Sequence, residues 1–451
     1  MGNLALKTDS YKCSHWQQFP KGTQSMFYYV EPRIADTDIM MFGTQMLLMK
    51  HFMTVPTIAQ VNEANELWRM HGLQFNLEGW SHISKLGYLP LDVRAVPEGT
   101  VLPSQNVILT VQSTDPQCFW LPGWMETLTM QLWYSITVTT RSYKCKKIIL
   151  KWLEKTGDPA GIDFKLHDFG YRGATSEESA GIYGAAHLVN FMGTDTMAGI
   201  MAVRKYYNTK AMLGFSIPAA EHSTVISWGY DRESDAYRNM INTFGFKGAL
   251  VAVVSDSYNL INAVENIWCK ELKQLVLDSG CTLVVRPDSG DPATIVIRTL
   301  QQLEVGFGTT VNAKGYKVLA PCVRVIQGDG IDDPETIDTI LQAVADAGFS
   351  ADNIAFGMGA GLAQKLNRDT LKFAEKNSAI QIDGVWYDVH KNPADAPWKA
   401  SKKGRLDLTP DFKTVNLREY DGPSALQTVF RNGELFNPVT FETIKQRAQL
   451  S

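Results

Sequence analysis

The sequence lacks a C-x-x-C motif, any clustering of histidine with cysteine, and an apolar run of the ~18 to 20 residues that a membrane-spanning helix requires. Its six cysteines are scattered over 451 residues, which argues against a zinc motif and a disulfide framework. The N-terminal stretch MGNLALKTDSYKCSH has neither the apolar core of a signal peptide nor the Ser/Thr of a myristoylation signal. We therefore expect a cytoplasmic protein with reduced thiols and no membrane partner.

The sequence also lacks a strong charge imbalance and any low-complexity tract. Its net charge is −4, with 45% hydrophobic and 20% charged residues, which is the composition of an ordinary globular protein. Nothing in this balance favours nucleic acid as a partner. An anionic ligand would need basic residues that are concentrated locally.

From about residue 163 onwards, short apolar strands alternate with helical segments. This alternation predicts parallel strands with right-handed crossovers, either in an α/β barrel or in an open doubly wound sheet. The strand-like stretches, each followed by a loop and a helical segment, are FKLHDFG, ALVAVVSDS, TLVVRPDSGDP, VRVIQGDGI and IAFGMGAG.

The residues that follow these strands are mostly acids, glycines and an arginine. They are Asp168, Asp256, Arg286 with Asp288, Gly328 with Asp329, and Gly357 with Gly359. Asp and Gly are common turn formers after any strand, but five consecutive strand ends of this kind favour one pocket. In α/β barrels the ligand lies at the carboxyl ends of the strands.

The rhythm of strands and helices predicts three segments in the chain. Residues 160–375 form the α/β barrel, and residues 1–159 and 376–451 form a second α+β domain together. The basic run KASKKGR (399–405) is interpreted either as a solvated surface or as a lid over a polyphosphate.

Several short motifs indicate phosphate and sugar binding. RPDSGDP combines Arg286 with helix N-terminal amides, which is a typical anion site. In QGDG, Gly328 permits close backbone approach and Asp329 accepts sugar hydroxyls, while GMGAG opens a helix as a phosphate cradle does. His222 in AAEHST is either a structural histidine or a functional one beside these groups.

A larger set of motifs, in order along nearly the whole chain, resembles the nicotinamide phosphoribosyltransferase family. The motifs are TDSYK, AVPEGTVLP, TDPQCFWL, KLHDFGYRG, AAHLVNFMGTDTMAG, IPAAEHST, VVSDSYN, RPDSGDP, RVIQGDG, NIAFGMGAG and SKKGRL. The resemblance implies a phosphoribosyltransferase α/β barrel with a second domain built from both chain ends. It also implies a homodimer with active sites at the subunit interface.

The resemblance implies how the base is bound. Phe169 in HDFGYRG stacks on the nicotinamide ring, and Tyr11 in TDSYK covers the other ring face from the partner subunit. Asp195 in GTDTMAG contacts the carboxamide. The same residue type is also typical of a helix N-cap, so Asp195 caps the following helix instead or in addition. An anionic acceptor at this position favours nicotinamide and repels nicotinate.

The resemblance also implies which residues bind the ribose and phosphates. These are Arg172, Arg286, Asp288, Gly328, Asp329, Gly359, Ala360 and Arg368, with Arg33, Lys376, Lys391 and Lys399 directed toward the diphosphate or ATP. The family has a glycine where this chain has Ala360. Phosphate binding through the backbone amide persists there if φ is negative, whereas a positive φ would strain an alanine.

The implied reaction makes nicotinamide mononucleotide and diphosphate from nicotinamide and 5-phosphoribosyl 1-diphosphate, in NAD salvage. Catalysis is expected from His222, Asp288 and Arg286 with Mg²⁺ bound through the diphosphate, and the candidate metal ligands are Asp256 and Asp288. ATP is expected to stimulate the reaction by phosphorylating His222.

Three other interpretations remain open from the sequence. A nicotinate phosphoribosyltransferase would share the barrel, and a non-catalytic nucleotide-binding protein would share the fold. A sugar-phosphate aldolase or isomerase barrel would require a buried lysine at a strand end, and the sequence shows no obvious candidate.

Overall fold

The structure is a computed structural model that describes residues 2–395 and 400–449. It contains two compact units. The first, which we call the terminal unit, comprises Met1–Thr140, Ala202–Lys210 and Asn367–Ser451. The second, the barrel unit, comprises Arg141–Met201 and Ala211–Leu366. The domain limits expected from the sequence, 159/160 and 375/376, stay a prediction.

The strands follow one another in short segments, most of them three to five residues long. In chain order they are β1 (Thr23–Pro32), β2 (Asp38–Met40), β3 (Leu91–Ala95), β4 (Val101–Pro103), β5 (Leu109–Ser113), β6 (Leu166–Asp168), β7 (Gly193–Thr194), β8 (Leu250–Val254), β9 (Thr282–Arg286), β10 (Thr309–Val311), β11 (Lys317–Leu319), β12 (Val323–Gln327), β13 (Ile354–Met358), β14 (Phe373–Ile382), β15 (Val385–Asp388), β16 (Leu406–Leu408), β17 (Thr414–Asn416), β18 (Gln427–Arg431) and β19 (Glu434–Leu435).

The helices vary from single turns to the 25-residue helix α5. They are α1 (Thr44–His51), α2 (Ile58–Met70), α3 (Leu77–Leu86), α4 (Leu121–Thr129), α5 (Leu132–Thr156), α6 (Glu177–Leu188), α7 (Met197–Tyr207), α8 (His222–Ile226), α9 (Glu233–Phe244), α10 (Leu260–Asn262), α11 (Lys273–Ser279), α12 (Pro292–Phe307), α13 (Pro334–Asp346), α14 (Ala360–Ala363) and α15 (Phe441–Gln449). A π-helix covers Ala263–Glu271, and short 3-10 helices include Ser10–Gln17, Pro116–Cys118 and Tyr171–Gly173. Within the described residues, no helix has both the length and the apolar character that crossing a membrane requires.

The terminal unit is built on an antiparallel sheet to which both ends of the chain contribute. Its described strands have the order β15-β14-β1-β5-β3-β18-β19, and β1 pairs with β14 from Thr23↔Ile382 to Pro32↔Phe373. In the core of this unit, the Trp124 ring packs against the rings of Trp80 and Trp120, with centroids 5.2 and 5.9 Å away. The expected second domain, composed of N- and C-terminal segments, is confirmed.

The barrel unit is built on a parallel sheet. Its strand order is β7-β6-β13-β12-β9-β8. β8, β9, β12 and β13 are mostly apolar, as expected for strands with both faces buried. The segment 215–220 joins the two edges, because Phe215 bridges to Gly193 in β7 and Ala219 bridges to Ala252 in β8. The sheet is thereby closed as in an α/β barrel, and this decides between the two architectures that the alternation of strands and helices left open.

The loops after β9 and β12 both end in the dipeptide Asp-Pro, at which the next helix begins. Asp291 and Asp333 are the N-caps of α12 and α13, and their carboxylates accept the amides of Thr294 and Thr336 at 2.9 and 2.8 Å. In both helices a proline occupies the first helical position, where its missing N–H costs no hydrogen bond. These two caps fix where each strand-to-helix loop ends.

Candidate active site

Because the barrel strands are parallel, their carboxyl ends lie on one rim. This rim brings together Asp168, Thr194, Val254, Arg286, Gln327 and Met358, which end β6, β7, β8, β9, β12 and β13. The acids, glycines and arginine that follow these strands in sequence therefore surround one end of the barrel. The pocket predicted from the sequence would lie on this rim, and its role as a binding site stays a prediction.

Phe169 forms an aromatic surface at the mouth of the barrel. Its backbone N–H donates to the carbonyl of Met358 at 3.0 Å, and its ring lies against Gly357 and Gly328. A Cβ atom at Gly357 would lie 1.9 Å from Phe169 Cε2, and one at Gly328 would lie 3.0 Å from the same atom. Glycine at the ends of β12 and β13 therefore makes room for the ring.

Asp195 is held by two donors on one of its carboxylate oxygens. His167 Nε2 lies 2.9 Å and Ser216 Oγ lies 2.5 Å from Asp195 Oδ1. In the described part of the chain, Oδ2 is left as a free acceptor. These bonds go to the barrel rim rather than to the amides of α7, so the alternative that Asp195 caps that helix is wrong.

The electrostatics around Asp195 favour its charged form. Burial alone would raise the pKa of its carboxyl group, but the hydrogen bonds from His167 and Ser216 and the charge of Arg286 outweigh burial. The net effect lowers the pKa of Asp195 below its ordinary value. The rim thus carries a negative charge at neutral pH next to His167, whose ring centroid lies 5.0 Å from that of Phe169.

Asp256 organises a second group of polar side chains on the rim. Its buried carboxylate accepts the Asp288 amide at 3.0 Å and the Ser289 hydroxyl at 2.6 Å through Oδ2. Its Oδ1 lies 3.1 Å from His222 Nε2. His222 Nδ1 in turn lies 3.8 Å from Asp288 Oδ2, so the imidazole stands between two carboxylates at the start of α8.

Arg286 interacts with acidic residues of both groups, with Asp288 and with Asp195. Its side chain is only 15% exposed, and Nη2 lies 3.6 Å from Asp288 Oδ2, while its charge lowers the pKa of Asp195. Its Nε is buried and has no hydrogen-bond partner among the described residues. A buried guanidinium N–H without a partner is rare and is typical of a site that a ligand completes.

The turns after β12 and β13 provide exposed backbone on the same rim. Gln327 Nε2 donates to the Asp329 carbonyl at 2.8 Å, and the Asp329 side chain is exposed. Gly359 precedes α14, which begins at Ala360. Ala360 is not among the residues with positive φ, so an alanine is unstrained there and its amide remains available.

Arg172 is placed differently from the other expected phosphate ligands of the barrel unit. Its side chain is 89% exposed, and its nearest carboxylate is Glu221, at 3.7 Å. The 3-10 helix Tyr171–Gly173 carries it into solvent next to the rim. No contact with the other basic site residue of the rim, Arg286, is present among the described residues.

The other expected ligands belong to the terminal unit. The charges of Arg33 and Arg368 act on Lys376, whose pKa is lowered mainly by burial, so these three cations form one basic group. Tyr11 is 61% exposed, and its ring makes an edge contact with His15 at 5.0 Å. Lys391 is exposed, with its amide bonded to Ser401 Oγ. Lys399 lies outside the described residues.

One buried lysine was missed by the sequence analysis. Lys165 precedes β6 and donates to the carbonyls of Ala351, Asp352 and Ile354 at 3.0–3.2 Å. Burial lowers the pKa of its ammonium group to about 8. It lies at the amino end of the strand, away from the rim, with its three N–H groups bonded to carbonyls. Lys165 is therefore not the lysine at the carboxyl end of a strand that an aldolase barrel would require.

The acids, the arginine and the glycines at the carboxyl ends of the barrel strands fit the binding of a phosphorylated sugar, which is the chemistry of the phosphoribosyltransferases. Comparison with known sequences agrees with this class. Residues 3–93 match the sequence model described as "Nicotinamide phosphoribosyltransferase, N-terminal domain". Residues 164–434 match that of the "Nicotinate phosphoribosyltransferase (NAPRTase) family".

Two curated relatives align over almost their whole length. The chain is 48% identical to a nicotinamide phosphoribosyltransferase of Xanthomonas campestris pv. campestris (strain 8004), covering 99% of this chain and 98% of the relative. It is 30% identical to the enzyme of the same name from Acinetobacter baylyi (strain ATCC 33305 / BD413 / ADP1), covering 97% and 95%. The chain therefore belongs to the nicotinate phosphoribosyltransferase family, within its group of nicotinamide phosphoribosyltransferases.

Two solved structures share the fold at low sequence identity. Nicotinate-nucleotide pyrophosphorylase from Pyrococcus furiosus matches with a TM-score of 0.63 and 14% identity, covering 99% of this chain and 94% of that chain. Human nicotinic acid phosphoribosyltransferase matches with a TM-score of 0.56 and 15% identity, covering 99% and 93%. These matches confirm the phosphoribosyltransferase-type fold.

Proposed function

We propose that the protein acts in NAD salvage by joining nicotinamide to 5-phosphoribosyl 1-diphosphate, which yields nicotinamide mononucleotide and diphosphate. The observation that carries the assignment of the base is the Asp195 carboxylate, whose Oδ2 has no partner among the described residues. Its Oδ1 is bonded to His167, and the His167 ring lies 5.0 Å from the ring of Phe169. A flat neutral amide matches both groups, because the ring stacks on Phe169 and an amide N–H donates to the carboxylate. The 48% identical relative carries the name of this activity.

The chemical step requires little proton transfer. The lone pair of the pyridine nitrogen forms the new bond to C1 of the ribose, while the C1–O bond breaks and its electron pair leaves with the diphosphate. The protein therefore positions the ring nitrogen and stabilises the negative charge that develops on the leaving group. Arg286 is the group best placed for this stabilisation, since its side chain is mostly buried on the rim and its Nε has no partner in the part of the chain that the structure describes.

The remaining phosphate and ribose contacts are assigned within each unit by itself. In the barrel unit we assign Arg172 and Arg286 to phosphate, Asp288 and Asp329 to ribose hydroxyls, and the backbone of Gly328, Gly359 and Ala360 to phosphate oxygens. In the terminal unit, the basic group Arg33, Arg368 and Lys376, together with Lys391, supplies further cations for diphosphate or ATP. The charges of Arg33 and Arg368 both act on Lys376, which supports this assignment.

On the rim, Asp288 is a better candidate ligand for Mg²⁺ than Asp256. Both oxygens of Asp256 are occupied by His222, the Asp288 amide and Ser289. Among the described residues, the Asp288 carboxylate has only the longer contacts of 3.8 Å to His222 and 3.6 Å to Arg286. When bound to the diphosphate, the ion would neutralise charge on the leaving group. Asp288 would hold it from the protein side.

We assign to His222 the role of accepting a phosphoryl group from ATP. The contact with Asp256 through Nε2 fixes the orientation of the ring and leaves Nδ1 as the nucleophile. In this step the Nδ1–P bond forms, the γ-phosphate bond of ATP breaks, and ADP leaves with the electron pair. Hydrolysis of the phosphohistidine then couples ATP to mononucleotide synthesis.

Replacing His222 with alanine is expected to remove the stimulation by ATP. The ratio of the initial rates with and without ATP should fall to about one, because no other imidazole is assigned to the rim next to Asp288. Ser227→Ala, at the end of the same short helix, serves as the control and should keep the wild-type ratio. An unchanged ratio in His222→Ala would assign the ATP effect elsewhere.

We further propose a cytoplasmic homodimer in which Tyr11 of a second copy covers the open face of the nicotinamide ring. The high exposure of Tyr11 supports this, because a 61% exposed tyrosine is available to a partner. If the role is intermolecular, mixing the inactive variants Tyr11→Ala and Arg286→Ala should restore part of the activity in mixed dimers. Activity no higher than that of the separate variants would contradict it.

The experiment that tests the function is direct. Purified protein is incubated with nicotinamide, 5-phosphoribosyl 1-diphosphate and Mg²⁺, with and without ATP, and mononucleotide is measured by chromatography. We expect stoichiometric mononucleotide and diphosphate. Absence of product would favour a non-catalytic nucleotide-binding protein, and faster turnover of nicotinate would favour a nicotinate phosphoribosyltransferase.

A further inference from the structure

Three potential metal ligands converge in the terminal unit, in a place that the proposed reaction does not use. They are His82, Asp115 and Cys118, and one ligand atom from each lies within 4.8 Å of the other two. His82 Nε2 lies 2.8 Å from Asp115 Oδ2. His82 and Asp115 are separated by 33 positions in the sequence, so the cluster exists only in the folded chain.

The three side chains are attached to segments that hold them in place. Asp115 Oδ1 accepts the Gln117 amide at 2.8 Å, which orients the carboxylate and leaves Oδ2 directed at His82. The Cys118 amide donates to the Asp115 carbonyl at 2.9 Å, so both ligands belong to one tight turn. A ligand carboxylate that is oriented by a backbone N–H is a common feature of metal sites.

Aromatic packing joins the helix that carries His82 to the turn that carries Cys118. Trp80 lies two residues before His82 in α3, and Trp120 lies two residues after Cys118. Their ring centroids are 5.4 Å apart, and Trp80 is fully buried. The distance between the ligands is therefore set by the core of the terminal unit rather than by mobile side chains.

We propose that His82, Asp115 and Cys118 form a binding site for a thiophilic divalent cation, with Zn²⁺ as the preferred ion. An imidazole, a carboxylate and a thiolate are all ligands that Zn²⁺ accepts, and three protein ligands leave the fourth tetrahedral position to water. The side chains of His82 and Asp115 are 25% and 24% exposed, which provides access from solvent. Cys118 is buried behind them.

Binding of the ion is an exchange in which Zn²⁺ replaces the proton of the Cys118 thiol. The Cys118 S–H bond breaks, its proton leaves to solvent and an S–Zn bond forms. The ion also replaces the hydrogen bond between His82 and Asp115. The thiolate and the Asp115 carboxylate together match the double positive charge. The bound ion would connect α3 to the 3-10 helix Pro116–Cys118 and would stabilise the terminal unit.

The test uses the full chain, freed of metal and titrated with Co²⁺ as a spectroscopic substitute for Zn²⁺. We expect a thiolate-to-cobalt charge-transfer band that saturates at one ion per chain and disappears on adding Zn²⁺. Cys118→Ser should lose the band. Cys13→Ser, which alters another buried free cysteine of the same unit, and His71→Ala should keep it.

A second variant guards against misfolding of Cys118→Ser. Asp115→Asn retains an acceptor for the Gln117 amide but loses the charge, so the band should persist with at least tenfold weaker affinity. Zn²⁺ should also raise the melting temperature of the wild type but not that of Cys118→Ser. No cobalt band in the wild type, or an equal band in Cys118→Ser, would overturn the proposal.

Discussion

Replacing Arg286 with alanine is expected to lower kcat/KM for 5-phosphoribosyl 1-diphosphate by about 10²–10³-fold, the loss typical of removing one preorganised charge-stabilising donor. The reason is its position at the end of β9, where the side chain is 15% exposed and lies 3.6 Å from Asp288. An alanine would leave the diphosphate without its buried cation and Asp195 without a compensating charge. The measurement is steady-state kinetics with varied phosphoribosyl donor.

Two further variants separate charge from folding in this prediction. Arg298→Ala removes an exposed arginine from α12 in the same unit and should leave kcat/KM unchanged. Arg286→Lys keeps the charge but loses the planar fork of donors, so its kcat/KM should lie between those of wild type and Arg286→Ala. Near-wild-type kinetics of Arg286→Ala, with intact folding, would remove Arg286 from the site.

Replacing Asp195 with asparagine is expected to reverse part of the preference for the amide over the acid. A charge-assisted hydrogen bond contributes about 1.5–3 kcal/mol, so kcat/KM for nicotinamide should fall about 10- to 100-fold. Turnover of nicotinate should rise relative to nicotinamide, because the repulsion between two carboxylates is gone. The measurement is the ratio of kcat/KM for the two bases.

Ser216→Ala provides the matched comparison for Asp195→Asn. It removes one of the two donors that hold Asp195 Oδ1 but keeps the charge and the bond from His167. We expect a smaller increase in KM for nicotinamide and little change in the preference between the bases. If Asp195→Asn left that preference unchanged, the carboxylate would not be the group that reads the amide.

The long-range pattern of the barrel unit could be predicted from the sequence, because β8, β9 and β12 are apolar runs that end in polar loops. The closing elements could not. β7 consists of Gly193 and Thr194 only, and segment 215–220 joins the sheet edges through isolated bridges. Such short stretches carry no periodicity, and their pairing depends on the strands on either side.

The sequence indicates which types of side chain lie on the rim, but not which of them are in contact. Phe169, Asp195, His222 and Arg286 are recognisable in motifs, whereas the bonds of His167 and Ser216 to Asp195 join positions 28 and 21 residues apart. The same limitation applies to the His82, Asp115 and Cys118 cluster. The sequence shows no clustering of histidine with cysteine, and folding creates it by packing α3 on a turn.

The central claim is that one pocket at the barrel rim holds a neutral aromatic amide and a phosphorylated ribose together. A crystal structure of the protein with nicotinamide mononucleotide tests it most directly. We predict the pyridine ring stacked on Phe169, an amide N–H bonded to Asp195 Oδ2 and the 5′-phosphate or ribose within reach of Arg286. A mononucleotide bound away from all three residues would contradict the account.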